Sequence, residues 1–358
     1  MSFFTRGEDP FIIAGPCSAE SREQVLGTAA ALSGMGIRLF RAGVWKPRTK
    51  PGSFEGQGIP ALEWLAEMRE TFKLPAAVEV AEPEHIELAL KHGVDVLWIG
   101  ARTAVNPFHV QRLADALKGV SVPVMVKNPV NPDVDLWEGA IQRIERAGVP
   151  EVAAIHRGFS SYASSAFRNQ PNWPIPIELK RRRPDLFIIC DPSHITGKRA
   201  LVQEVSQRAL DLCFDGLMIE THPDPEKAWT DAAQQVTPEA LKGILCHLIK
   251  RRQSAESYTS GAKLEQLRQH MDSIDAEIID LLARRMELSE QMGLLKKEQN
   301  MTVYNPDRWR DIVDTRSTQA RRLQLSPEFI VALYEKIHHE SIQKQLQVLE
   351  SLDKKIKD

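Results

Sequence analysis

The sequence has little cysteine, little net charge and no long apolar run. Its four cysteines in 358 residues are too few and too scattered for a disulfide scaffold, so we expect free thiols. The 46 basic and 48 acidic residues leave a charge of -2, without the basic excess that binds nucleic acid or an anionic membrane. No apolar run reaches the ~20 residues that cross a bilayer, and none forms a signal core near the first residue. We therefore expect a cytoplasmic enzyme with no nucleic-acid or membrane partner.

Turn-forming residues are scarce in the last third of the chain. The 105 residues after Gln253 contain only two of the 22 prolines and two of the 20 glycines. This change falls in a polar stretch without large aliphatic residues, which we interpret as an exposed linker over 254–263. The sequence thus predicts a first domain over 1–253 and a second over 264–358.

Eight short apolar runs recur through the first domain, separated by stretches with helical spacing. They begin at Phe11, Ile37, Ala76, Val96, Val122, Glu151, Leu186 and Gly216. Apolar strands that alternate with helices indicate an α/β fold with a parallel sheet covered on both faces. Eight such units fit a (β/α)8 TIM barrel, whose active site lies at the C-terminal ends of the strands. An open doubly wound sheet is the alternative.

The second domain has a different period. Apolar residues step by three and four from Leu264 to Leu295, and Arg285 is the one charge in this seam. The resulting helix, to Glu298, would be about 50 Å long, which a domain of this size cannot cover alone. We therefore expect a homodimer through this helix. A segment from Pro306 and a helix from Pro327 complete an all-α domain.

A polar or ionisable side chain follows or ends each of the eight runs. These residues are Cys17, Arg41, Glu79, Arg102, Lys127, Arg157, His194 and Glu220. In a barrel they would meet at one mouth, although solvated strand ends and helix caps would have the same composition. The cations among them, with Lys46 and Arg48, suggest a small substrate that carries several phosphate or carboxylate groups.

Four of the predicted side chains have the chemistry of metal ligands. Cys17, His194, Glu220 and Asp231 together offer a thiolate, an imidazole and two carboxylates, enough for a divalent transition metal. They are far apart in sequence, so spacing alone equally allows Cys17 to be a small buried hydrophobe.

Several motifs of the first domain resemble the type I-beta 3-deoxy-D-arabino-heptulosonate 7-phosphate (DAHP) synthases. They are AGPCS at Ala14, FRAGVWKPRT at Phe40, IGART at Ile99, VMVKN at Val124, HRG at His156, DPSH at Asp191 and GLMIETHPDPEKAWTD at Gly216. The resemblance implies a metal-dependent, aldol-like condensation of phosphoenolpyruvate with erythrose 4-phosphate. It also implies that Cys17, His194, Glu220 and Asp231 bind the catalytic divalent metal, Mn²⁺ or similar.

The same resemblance assigns the substrate-binding residues. It implies that phosphoenolpyruvate is held by Arg41, Lys46, Arg102, Lys127 and Arg157. Erythrose 4-phosphate would be received by Pro47, Arg48 and Thr49, with Glu79 near the reacting carbons. The chemistry of the reaction also needs a proton shuttle, for which Lys46 and a metal-bound water are both candidates. A sibling family makes 3-deoxy-octulosonate 8-phosphate from arabinose 5-phosphate, and the KPRT motif at Lys46 favours the four-carbon sugar. Asn128 stands where many relatives have glycine-rich sequence.

The second domain resembles the all-helical chorismate mutases. The resemblance implies a site for chorismate or prephenate built from Arg268, Arg285, Lys296, Arg308, Ser341 and Gln345, and the last two interrupt an apolar stripe. Lys296 and Gln345 would face the breaking ether bond, and Arg268 would reach the partner chain's site. Polar layers that fix helix register would give similar interruptions. Asn305 and Trp309 stand where some members have aspartate and glutamate.

These resemblances predict a bifunctional enzyme of the shikimate pathway, which supplies the aromatic amino acids. The alternative is a DAHP synthase whose helical domain only senses chorismate or prephenate and dimerises. Because the chain begins close to its first predicted strand, the helical domain is also the candidate for allosteric feedback by prephenate or chorismate.

Overall fold

The structure, a computed structural model, describes residues 2–47, 52–162, 165–251 and 258–357. The chain divides into two compact units, Met1–Gln253 and Ser254–Asp358. Among the described residues, no helix combines the length and the apolar character needed to cross a bilayer. All four cysteines belong to the described residues and all are free, as predicted.

The described part of the first unit contains eight parallel strands. They are β1 (Phe11–Gly15), β2 (Leu39–Ala42), β3 (Ala76–Val80), β4 (Val96–Ile99), β5 (Val124–Lys127), β6 (Val152–His156), β7 (Phe187–Cys190) and β8 (Gly216–Glu220). Each strand pairs with the next along the chain, and β8 pairs with β1. The sheet is therefore a closed barrel, which confirms the predicted TIM barrel and excludes the open doubly wound sheet.

Helices connect the strands and cover the outside of the barrel. They are α1 (Arg22–Leu32), α2 (Ile59–Phe72), α3 (Pro83–Lys91), α4 (Ala101–Ala104), α5 (Pro107–Ala116), α6 (Val134–Arg146), α7 (Pro174–Arg182), α8 (Pro192–Thr196), α9 (Val202–Asp211) and α10 (Pro238–His247). Several helices are capped by the side chain of the residue that precedes them. At the start of α6, for example, the Asp133 side chain accepts a hydrogen bond from the Leu136 backbone amide. Buried aliphatic residues of these helices pack on the outward-facing residues of the strands.

Side chains along each strand alternate between the helical layer and the barrel interior. A separate apolar cluster fills the interior, and it includes Phe11, Ile13, Leu39, Ala77, Trp98, Met125, Ile155, Ile189 and Met218. Because the period is two, the residue two positions after an interior residue on the same strand also faces the interior. This parity decides which side chains reach the mouth of the barrel.

The second unit is all-helical, as predicted. Its helices are α11 (Tyr258–Glu298), α12 (Pro306–Arg322) and α13 (Pro327–Lys357). The helix α11 begins at Tyr258, inside the stretch 254–263 that we predicted as an exposed linker, so part of that stretch is helical. Residues 254–257 lie outside the described residues. The absence of large aliphatic residues hides the helical period but does not oppose a helix.

Candidate active sites

The C-terminal ends of the strands carry inward-facing charges. Arg41, Glu79, Lys127 and Glu220 each lie two residues after an interior apolar residue, so strand parity directs all four into the mouth. Arg41, Lys127 and Glu220 are nearly fully buried. Beneath them the Trp98 ring forms a floor, with the Arg41 guanidinium carbon 5.1 Å and the Lys127 ammonium 5.9 Å from its centroid. The predicted convergence at one mouth is therefore present for these residues.

Three of the four predicted metal ligands form one compact group. Cys17, Glu220 and Asp231 each present a ligand atom within 4.8 Å of the other two. Cys17 Sγ is 3.4 Å from an Asp231 carboxylate oxygen. The fourth predicted ligand, His194, places Nε2 3.7 Å from Glu220 Oε1. The sequence places these residues far apart, and the closed barrel brings them together.

A buried carboxylate behind His194 fixes the orientation of its ring. Asp191 Oδ2 lies 2.8 Å from His194 Nδ1, so Nε2 is the nitrogen left to face Glu220. Asp191 also accepts a 2.7 Å hydrogen bond from Lys127 Nζ. Burial alone would raise the pKa of Asp191, but His194 and Lys127 hold this pKa well below its usual range. Asp191 is therefore an anion that positions a base and a cation.

Two cations surround Cys17. Arg41 donates a 3.0 Å hydrogen bond to the Cys17 carbonyl and lies 3.1 Å from Glu220. Lys46 donates to the same carbonyl and is 3.3 Å from Cys17 Sγ. Burial, followed by the charge of Glu220, raises the pKa of the Cys17 thiol to about 12. Gly43 makes this approach feasible, because a Cβ there would collide with the Lys46 side chain and the Cys17 carbonyl.

Two residues that the sequence analysis did not single out hold the predicted acidic ligands in place. Arg168 Nη1 donates to Asp231 at 2.9 Å and to the Gln234 side chain at 2.8 Å. Gln234 in turn donates to Glu220 at 2.7 Å. Burial would raise the pKa of Asp231, and His194 with Arg168 lowers it. Neither Arg168 nor Gln234 belongs to a strand, so strand parity carried no signal for these two residues.

The remaining predicted phosphate ligands lie in different surroundings. Arg157 follows β6 and is buried. Burial, followed by the charges of Arg168 and Arg102, lowers the pKa of Arg157 to about 10. Arg102 is exposed and belongs to α4, which begins just after the end of β4. Pro47 is half-buried, whereas the predicted Arg48 and Thr49 lie outside the described residues.

Glu79 is held at the mouth by a single indole. Its Oε2 accepts a 3.2 Å hydrogen bond from Trp98 Nε1. A Cβ at Gly100 would collide with the Glu79 carboxylate, so the absence of a side chain there leaves room for it. Glu79 therefore lies near the other charged groups without an ion-pair partner among the described residues.

The helical unit has its own cationic cluster between α11 and α13. Arg285 donates to the Ser341 hydroxyl, and Lys296 donates to the Val303 carbonyl at 2.5 Å. Burial, together with Arg316 and Arg308, lowers the pKa of Arg285. Burial also lowers the pKa of Lys296. The structure thus brings Arg285 of α11 together with Ser341 of α13, and Lys296 contacts the segment between α11 and α12.

Close packing of the two helices buries the polar pair of α13. Ser341 and Gln345 are both buried, and Gln345 Nε2 donates to the Ser341 carbonyl at 3.2 Å. Gly293 of α11 allows this contact, because a Cβ there would lie 3.1 Å from the Gln345 Cα. Arg308 and Arg268 are exposed, and each forms an ion pair within its own helix.

Comparisons with known proteins agree with this geometry. The model of the DAHP synthetase I family matches residues 3–257. The chain belongs to the DAHP synthetase I family. A second family model, chorismate mutase type II, matches residues 267–346, so this DAHP synthetase family member carries a fused chorismate mutase domain. The matched ranges correspond to the barrel and to the helical unit.

Known relatives match about two thirds of this chain. The phospho-2-dehydro-3-deoxyheptonate aldolase of Thermotoga maritima is 31% identical over 239 residues, 67% of this chain and 69% of the relative. The crystal structure of that bacterium's DAHP synthase matches with a TM-score of 0.61 and 30% identity, over 67% of this chain and 68% of that chain. A 2-dehydro-3-deoxyphosphooctonate aldolase of Methylobacterium radiotolerans is 30% identical over 258 residues, 66% of this chain and 87% of the relative.

Proposed function

We propose that the barrel condenses phosphoenolpyruvate with erythrose 4-phosphate to give DAHP and phosphate, and that the helical unit rearranges chorismate to prephenate. The observation that carries the first activity is the convergence of a thiol, an imidazole and two carboxylates beside buried cations. This combination fits a metal-assisted reaction between two phosphorylated substrates. The KPRT motif at Lys46 favours the heptonate product over the octonate product of the sibling aldolases.

The ligand set suits a divalent transition metal. Cys17, His194, Glu220 and Asp231 would hold it, since a thiolate and an imidazole select metals such as Mn²⁺, Fe²⁺ or Zn²⁺ over Mg²⁺ and Ca²⁺. Glu220 Oε1 is buried and accepts no hydrogen bond from the described residues, which leaves a lone pair for the metal. When bound, such a metal supplies Lewis acidity that stabilises negative charge on an aldehyde oxygen.

The chain's own residues bind, orient and move protons. Arg41, Lys127 and Arg157 offset the charge of phosphoenolpyruvate and hold its phosphate and carboxylate. Arg102, Pro47, Arg48 and Thr49 complete the two phosphate sites. Lys46 lies beside Cys17, where its ammonium can deliver a proton to the aldehyde oxygen as the carbon–carbon bond forms. Glu79 faces the same mouth and would orient the water that adds before phosphate leaves.

The mutase reaction needs compact binding and no proton transfer. Arg285 and Arg308, with Arg268 from a second copy of the chain, would grip the two carboxylates of chorismate. Lys296 and Gln345 would stabilise the charge that develops on the ether oxygen. The exposed apolar seam of α11 supports the required homodimer: its nine apolar positions from Leu264 to Leu295 are between 43% and 63% exposed.

Paired substrate assays test both activities. Purified protein supplied with phosphoenolpyruvate and one sugar should release phosphate with erythrose 4-phosphate and not with arabinose 5-phosphate. The reverse preference would contradict the DAHP assignment. Added chorismate should become prephenate. If prephenate binds in calorimetry while chorismate stays unchanged, the helical unit is the sensing and dimerisation module instead.

The fused domain also suggests feedback on the barrel. We expect saturating prephenate or chorismate to lower the synthase rate, since the helical unit binds both and shares a chain with the barrel. The check is the rate of phosphate release with and without prephenate, repeated on Arg285→Ala, which should lose the response. An unchanged wild-type rate would contradict this regulation.

A further inference from the structure

Two buried polar atoms on one face of α13 have no hydrogen-bond partner among the described residues. They are His338 Nε2 and Gln345 Oε1. His338, Ser341 and Gln345 are spaced by three and four positions, so their side chains form one stripe on the helix. Ser341 pairs with Arg285 of α11. Unpartnered buried polar atoms beside such a pair indicate a place where a ligand supplies the missing partners.

An aromatic contact fixes the direction of the His338 ring. The ring stacks on Trp309 of α12, with centroids 4.5 Å apart and planes inclined by 18°. Tyr304 contacts it from another side at 6.1 Å. The stack on Trp309 therefore sets the plane of the imidazole, and Nε2 is a buried nitrogen of this ring.

Burial and two neighbouring cations disfavour the charged form of this imidazole. Burial, followed by the charges of Arg285 and Lys296, lowers the pKa of His338. A carboxylate at this place would pair with the arginines, whereas a neutral imidazole leaves them free for an anionic ligand. It also offers one hydrogen-bonding nitrogen to a neutral polar group.

Two neighbouring side chains at the start of α12 are not available for this role. Asn305 Oδ1 accepts the amide of Arg308 at 3.0 Å and so caps α12. Trp309 has no acceptor atom, and its ring face is taken by His338. Chorismate has two carboxylates, an ether and one ring hydroxyl, and the arginines, Lys296 and Gln345 account for all but the hydroxyl.

We propose that His338 binds the ring hydroxyl of chorismate through Nε2 and thereby positions the substrate. This inference rests on the proposed mutase function. The stack on Trp309 holds the plane of the imidazole, so the two residues act together.

The test compares chorismate turnover by the full chain and three variants. His338→Phe keeps the stack on Trp309 and removes Nε2, so kcat/KM should fall about tenfold, mainly through KM. His338→Gln returns an amide near the Nε2 position and should recover part of the loss. His339→Phe, on the exposed neighbouring residue, is the matched control and should behave as wild type.

A substrate analogue separates this role from a structural one. With chorismate that lacks the ring hydroxyl, wild type and His338→Phe should react at equal rates, which a packing defect alone would not produce. Equal kcat/KM of wild type and His338→Phe on chorismate itself would overturn the inference. A wild-type chain that leaves chorismate unchanged would overturn the mutase function, and the inference with it.

Discussion

His156 and Arg157 are adjacent at the end of β6, and their side chains point to opposite sides. Arg157 faces the mouth of the barrel, whereas His156 is fully buried in the helical layer. Aromatic rings surround the imidazole at centroid distances of 5.3 to 6.3 Å: Trp137, Phe159, Trp173 and Phe214. Burial, followed by the charge of Arg157, lowers the pKa of His156 to about 3.

This burial predicts an acid-sensitive barrel. Between pH 6.5 and about pH 3, the unfolded chain binds a proton that the folded His156 does not. The contribution of His156 to the free energy of unfolding is therefore fully present above pH 6.5. It falls as the pH decreases, by up to about 1.4 kcal/mol per pH unit. The free energy of unfolding can be measured at several pH values by denaturant unfolding followed by tryptophan fluorescence. It should depend less steeply on pH in His156→Leu than in wild type.

The exposed His247 supplies the control for this measurement. His247→Leu should keep the wild-type dependence of unfolding free energy on pH. Six of the seven tryptophans belong to residues 1–253, so the fluorescence mainly reports the barrel. If His156→Leu and wild type lose stability in parallel as the pH falls, the buried neutral histidine is not the cause.

At the scale of elements, the ends of β5 and β6 are joined by one side chain. Asn128 is fully buried, and its Oδ1 accepts the Arg157 amide at 2.7 Å. Its Nδ2 donates to the carbonyls of Gly158 and Pro129, both at 2.8 Å. These bonds fix the backbone from which the Arg157 side chain extends into the mouth.

Asn128→Ala should therefore raise the KM for phosphoenolpyruvate, by about tenfold, because the backbone of Arg157 loses its partner. The measurement is steady-state kinetics with each substrate varied in turn. Asn106→Ala removes the cap of α5 at a cost of about 1 kcal/mol and should leave both KM values unchanged. An unchanged KM for phosphoenolpyruvate in Asn128→Ala would refute this role.

Strand parity explains what the sequence could predict. The runs at Ala76 and Gly216 coincide with β3 and β8, and counting by two from an interior residue leads to Glu79 and Glu220. The same count from Ile189 reaches Asp191, so this residue could have been found. Arg168 and Gln234 could not, since loop conformations follow from tertiary contacts that local sequence does not encode.

In the helical unit the period located the helices but not every boundary. The steps of three and four stop at Leu264, whereas α11 begins at Tyr258. The pattern singled out Arg285, Ser341 and Gln345 as interruptions, and the structure brings them together. His338 gave no such signal, because its role depends on a stack with Trp309 from another helix.

At the scale of the whole molecule, the near-zero net charge is an average over two cationic sites. The first 253 residues contain 30 basic and 30 acidic residues, yet inward-facing arginine and lysine converge at the mouth. Balanced charge elsewhere removes long-range attraction for polyanions, and local cations remain for small anionic metabolites. The composition thus offers no basic excess for a polyanion, while local clusters of cations allow two sites for small anions.

The exposed seam of α11 predicts a dimer that the mutase needs. Leu281→Asp, at a seam position 60% exposed in the single chain, should halve the molecular mass measured by light scattering. Mutase activity should fall because Arg268 no longer reaches a second site, while the synthase rate persists. Ala283→Asp places the same charge on the same helix outside the seam and should change neither property. An unaltered mass in Leu281→Asp would contradict dimerisation through this seam.

The central claim is that one chain carries two chemically separate active sites. The most direct measurement assays both reactions on wild type, Cys17→Ala and the exposed-cysteine control Cys246→Ala, with bound metal determined in each. Cys17→Ala should lose metal and more than about a hundredfold of synthase activity, keeping its mutase rate. Cys246→Ala should keep both activities. Loss of both activities in Cys17→Ala, or of neither, would contradict the account.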